Sequence, residues 1–172
     1  MQPTFRTGDK AVYPAHGVGM VMGIETRNLG GQQQDVFVLK ILENDMKIMI
    51  PTDKVGSVGL REVISKQEVK EVYTVLKERS PVVKNLSWNR RHREYLDKIN
   101  TGSILDIAEV LRDLNLLKFD KDLSFGERKL LDTARSFLIK EVSIARNVKE
   151  TVIENDLENI FREKAAPVLL PT

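Results

Sequence analysis

The apolar positions of this chain change period once. Over roughly the first sixty residues they recur at every second position, as in a half-buried strand. "KAVYP" is a short alternating run stopped by Pro14. "GVGMVMGIET" places Val18, Met20, Met22 and Ile24 two apart on one strand face. Leu29-Gly30-Gly31 is a hairpin signal. The β-branched and aromatic run "DVFVLKIL" predicts a strand buried on both faces for part of its length. Asn44-Asp45 turns the chain into "MKIMIP", where Ile48 and Ile50 alternate with Lys47 and Met49, and "VGSVGLREVI" supplies the last piece. Short strands at close spacing, joined by tight turns, predict a small barrel or a strongly bent sheet.

From Ser65 the period becomes 3.6. Ser65 and Glu68 have capping-box spacing and open a helix with Val69, Val72, Tyr73 and Leu76 on one side, ending before Pro81. Ser87 is an N-cap candidate for a second helix with the stripe Tyr95, Leu96 and Ile99. Thr101-Gly102-Ser103 restarts the chain into a third helix carrying Ile104, Ile107, Val110, Leu111 and Leu114. Ser124 and Glu127 repeat the capping box before a long helix with Leu130, Leu131, Ala134, Phe137, Leu138 and Val142 inward. A last helix is predicted over 151–164, with Val152, Ile153, Leu157, Ile160 and Phe161. The expected fold class is α+β. A β module over 1–64 precedes a helical bundle over 65–166, with 167–172 as a disordered tail.

Composition narrows the classes. The chain has 172 residues, is 41% hydrophobic and contains no cysteine, which excludes disulfides and thiolate metal sites. No apolar run reaches the length of a membrane span, and "MQPTFRTGDK" lacks the apolar stretch of a signal peptide. A cytoplasmic protein is the expectation. Net charge is only +2, but its distribution is uneven. Residues 1–64 hold seven basic and seven acidic side chains, 65–100 hold nine and five, and 101–172 hold eleven and thirteen. A middle segment at +4 suits a polyanion, with weak affinity by itself.

Chemistry-bearing motifs are absent. His16 and His92 fall in different expected domains, and neither has ligand spacing with another histidine. "GVGMVMG" lacks dinucleotide-fingerprint spacing and leads into a strand, so its glycines suit a tight turn and a bent strand. Neither an enzyme nor a cofactor or metal requirement is indicated.

The stretch "NLSWNRRHREYL" holds the only tryptophan, Trp88, followed by Arg90, Arg91 and Arg93. At 100° per residue, Trp88 shares a face with His92, Tyr95 and Ile99 and could cap that stripe. The three arginines spread over about 300° of helix surface, too wide for one carboxylate partner. Guanidiniums around an exposed ring would suit nucleic acid, pinning phosphates while the ring meets a base step.

Five blocks in order resemble the CarD/CdnL family of bacterial transcription regulators. They are "GDKAVYPAHGVG" (8–19), "VGLREV" (58–63), "SWNRRHREYLDKINTGS" (87–103), "IAEVLRDL" (107–114) and "LSFGERKLLDTAR" (123–135). The resemblance is greatest to stand-alone CdnL-type members. It implies a Tudor-like first module, similar to the polymerase-interacting domain of the transcription-repair coupling factor, that docks on the RNA polymerase β subunit. It also implies that the helical domain reaches the upstream edge of the transcription bubble in promoter DNA. There Trp88 would wedge into the minor groove while Arg90 and Arg93, with Arg91 beside them, hold the backbone. On the polymerase face it points to Arg27, Lys47 and Met49. Some relatives carry an arginine in place of Met49, and a tyrosine in place of His92. A monomer is expected, associated with the nucleoid through polymerase. Two other readings are a protein adaptor that recruits another factor to polymerase, and a sequence-specific regulator. The second lacks an Asn/Gln readout pattern.

Overall fold

The two-residue alternation becomes five antiparallel strands. They are β1 (Lys10–Tyr13), β2 (Gly17–Leu29), β3 (Gln32–Ile41), β4 (Lys47–Pro51) and β5 (Arg61–Glu62), in the spatial order β4-β3-β2-β1-β5. The computed structural model describes residues 5–78 and 88–165. It divides into two compact units, Met1–Val63 and Ile64–Thr172. The expected Ser87 cap and the tail 167–172 lie outside the described residues.

Turn chemistry sets the strand pairing. Gly30 and Gly31 have φ of +62° and +84°, as a two-residue hairpin turn between paired Leu29 and Gln32 requires. Asp45 takes a left-handed φ of 59° where β3 turns toward β4. Between β1 and β2 the His16 ring lies against Tyr13, with ring centroids 5.1 Å apart. One face of the sheet is the core: Val21, Phe37, Leu39, Ile41 and Ile50 pack with Phe5, Val55 and Leu60. Gly19 is required there because a Cβ would stand 2.7 Å from Leu39 Cγ.

A bulge between Val21 and Gly23 shifts the register of β2 on β3. It corrects the simple alternation expected for β2. Met20 and Met22 lie on the face away from the core, but Ile24 comes into register with the core residue Phe37. One inserted residue flips every side chain beyond it.

The second unit has five helices: α1 (Lys66–Lys77), α2 (Trp88–Asn100), α3 (Ile104–Asp120), α4 (Phe125–Arg146) and α5 (Glu150–Ala165). Both predicted capping boxes form. Ser65 and Ser124 accept from the amides of Glu68 and Glu127, and each glutamate reaches back to its cap. Asn147 ends α4 in the left-handed conformation. The core contains Val69, Val72, Leu76, Tyr95, Ile99 and the predicted stripe of α3, closed by Leu130, Leu138, Val142, Ile153 and Leu157. Three positions differ from the periodic reading. Ile64, placed in the first module, packs in this core, and its amide donates to the buried Glu141 carboxylate at 3.0 Å. Leu96 and Val152 are exposed, because each stands at the border of its helix's apolar stripe.

Polar links join the helices. Tyr73 of α1 donates to Asp156 of α5 at 2.7 Å, and Arg146 of α4 donates to both, at 3.0 and 2.8 Å. Buried Arg112 of α3 binds Glu78, just past α1, at 3.1 Å and its neighbour Asp113 at 2.9 Å.

Burial, reinforced by Asp156, pushes the Tyr73 phenol up to about 12, and burial followed by Asp113 does the same for Tyr95. Both ordinarily ionise near 10.0, so the folded state keeps a proton that the unfolded chain releases first. Their stabilisation is complete below pH 10.0 and is lost as pH rises through about 12. An alkaline titration should therefore show these two phenolates appearing only near the top of that window, with unfolding. Tyr73→Phe should remove one of them. Ionisation of both at their ordinary value in the folded protein would contradict this placement.

Candidate nucleic-acid interface and docking face

Helix α2 is anchored by its later turns. Tyr95 and Ile99 are buried against the bundle, and Lys98 reaches Glu109 of α3 at 2.7 Å. Burial thins toward the helix start, because His92, one turn before Tyr95 on that row, is only half-buried. Trp88 opens the helix, and its side chain lies outside the described residues.

The three arginines separate by position. Arg90 and Arg93 are exposed, with Arg90 loosely held by Glu94 at 3.7 Å. Arg91 is half-buried and its charge acts on the Tyr95 phenol, so it turns toward the bundle. Leu96, expected inward with the α2 stripe, is 40% exposed, and Phe125, the first residue of α4, to which the sequence assigned no role, is 78% exposed. Helix α4 packs against α2, and Glu127 in its first turn adds to the upward push on the Tyr95 phenol. Phe125 was visible as an aromatic directly after a cap. A first-turn position there points away from the stripe that begins at Leu130.

Burial pushes the Glu127 carboxyl up, but the Ser124 amide and Lys121, at 3.0 Å, outweigh it and hold Glu127 below its ordinary value. The loop into α4 is thereby locked.

In the first unit, β4 is an edge strand, and among the described residues no strand pairs with its outer side. Register places the three expected residues on one face, opposite the core. Arg27 pairs with Gln34, Met49 with Val38 and Lys47 with Lys40. Gln34 and Val38 are four positions apart on β3, so Arg27 and Met49 stand about 13 Å apart along the strands. Arg27 binds Glu25 at 2.6 Å, and both are about half exposed. The same face carries a row across three strands: Met22 in the bulge, Val38, and Met49. Sequence reasoning missed this row, because it depends on the bulge.

An antiparallel β unit followed by a helical unit with an arginine-flanked helix start is the plan of a class of transcription regulators. Residues 5–64 match the CarD-like/TRCF RID domain family, and residues 71–158 match the CarD, C-terminal domain family. The chain belongs to the CarD/CdnL family. YdeB of Bacillus subtilis (strain 168), a candidate transcription factor, is 34% identical over 151 residues, which are 88% of this chain and 98% of that protein. Among solved structures, CdnLNt from Myxococcus xanthus is 67% identical over 38% of this chain and 93% of its own, with a TM-score of 0.32. The 72-residue N-terminal domain of Myxococcus xanthus CarD is 30% identical over 34% of this chain and 79% of its own, with a TM-score of 0.30. The family is one of transcription factors and not a known enzyme class.

Proposed function

We propose that the protein docks on the RNA polymerase β subunit through its first unit and stabilises the promoter open complex through its second. The observation that carries this reading is the start of α2. Arg90 and Arg93 are exposed within two turns of the only tryptophan in the sequence. Arginines hold phosphates without reading sequence, and an aromatic wedge in the minor groove reads little base identity. Trp88 is the wedge, Arg90 and Arg93 clamp the backbone, and Arg91 steadies the helix from the bundle side.

The docking half is supported by the family match over residues 5–64 and by the open edge of β4. Strand addition supplies backbone hydrogen bonds, while Met49, Lys47 and Arg27 contact the partner. Tethering explains why a segment carrying only +4 suffices. Once docked, the helical unit meets DNA at a high effective concentration.

Bare DNA tests the tether. The protein alone, as a monomer, is expected to bind promoter duplex weakly and without sequence preference at physiological salt, since two to three cations release few counterions. A fluorescence-anisotropy titration giving tight, sequence-dependent binding would contradict the proposal and return the protein to the sequence-specific regulators.

A further inference from the structure

The outer row of the sheet has a chemical peculiarity. The chain contains no cysteine and five methionines, all within its first 49 residues. Two of them, Met22 and Met49, stand on either side of Val38, with Met22 as the extra residue of the bulge and Met49 on the open edge strand. They are 45% and 50% exposed. Val36 and Val38 share this face, outside the inner core, yet are almost fully buried. Glu25 and Pro51 are in register with Val36, Gly23 and Met49 are in register with Val38, and the bulged Met22 precedes Gly23. The apolar surface that this face offers a partner is therefore largely thioether.

We propose that Met22 and Met49 are an oxidation site that governs docking: a peroxide converts their thioethers to sulfoxides in the free protein and so weakens polymerase binding. The inference rests on the docking reading above. In the reaction the sulfur lone pair attacks one peroxide oxygen and the O–O bond breaks. An S–O bond forms, and after proton transfer the second oxygen leaves as water. The sulfur gives up two electrons and the peroxide gains them. The product is a polar acceptor on a side chain that was apolar, which disrupts methionine-rich interfaces and is reversed by methionine sulfoxide reductases. Burying such a group without a donor is costly enough to weaken binding about tenfold or more. Both side chains are about half exposed, so in the free protein the added oxygen can stay in water.

The full chain also carries its own control. Met46 is 46% exposed in the turn before β4 and away from the row, so it oxidises without consequence for docking. The test compares wild type with Met22→Leu/Met49→Leu, a swap close to volume-conserving. Each is treated with hydrogen peroxide and mapped by peptide mass spectrometry. Circular dichroism checks the fold, and affinity for the purified β subunit is then titrated. Oxidised wild type is expected to bind about tenfold or more weakly and to recover with reductase. The leucine variant, oxidised at Met46, should keep the affinity it shows before treatment, whatever that starting value is. Unchanged binding by wild type oxidised at both positions would overturn the switch alone. So would an equal loss in the leucine variant. Failure of untreated wild type to bind the β subunit would overturn the docking reading, and the switch with it.

Discussion

Trp88→Ala is expected to shorten the promoter open-complex lifetime conferred by the protein by roughly 5–150-fold. A ring stacked on a base step contributes about 1–3 kcal/mol, and each 1.4 kcal/mol is tenfold. Closing the duplex requires expelling the ring, so its loss appears in the lifetime. The variant should bind the β subunit normally, since that contact belongs to the first unit. Its melting temperature should also stay close to wild type. A tryptophan packed in the core would instead cost about 3–5 kcal/mol on truncation and depress melting visibly. Arg90→Ala should act more gently, weakening the DNA step and reducing its salt slope by about one. The exposed Leu96 and Phe125 sharpen the contrast with an adaptor. If α2 met a protein, Trp88→Ala would lose that partner and leave the DNA lifetime unchanged.

The second large effect belongs to the docking face. Met49→Glu is expected to abolish measurable binding to the polymerase β subunit in a pull-down or titration. A carboxylate buried at an interface without a partner costs about 3–5 kcal/mol, a loss of roughly 150- to 5,000-fold. The free protein should fold as before, because Met49 is half exposed and a carboxylate there can reach water. Arg27→Ala should cost far less, since its guanidinium already has Glu25 and exposed pairs contribute about 0–1 kcal/mol. Retained binding by Met49→Glu would remove β4 from the docking surface.

Much of the fold was legible because local signals agreed with one another. Ser65 with Glu68 and Ser124 with Glu127 each mark a helix start by a reciprocal hydrogen bond that needs no tertiary context. Gly30-Gly31 marks a hairpin for the same reason. The α3 stripe from Ile104 to Leu114 is buried throughout, because its apolar positions keep to one face over several turns. The expected α+β class holds on these elements.

What the sequence concealed was non-local. The bulge at Met22 has no composition signature beyond one glycine, and it alone decides that Ile24 leaves the face of Met22. Ile64 reads as strand by its neighbours and is claimed by the helical core through Glu141, seventy-seven positions away. On α2, Arg90, Arg91 and Arg93 look equivalent in sequence. Packing against α3 and α4 turns Arg91 inward and leaves the other two in solvent. Phe125 reads as part of a helix start, and its exposure follows from a first-turn position off the buried stripe of α4.

The most direct test of the central claim is the lifetime of a promoter open complex formed by purified polymerase, followed under competitor challenge with and without the full chain. It is best run at two promoters that share no upstream sequence. A longer lifetime is expected at both, lost with either Trp88→Ala or Met49→Glu. A lifetime unchanged by the wild-type protein would contradict it.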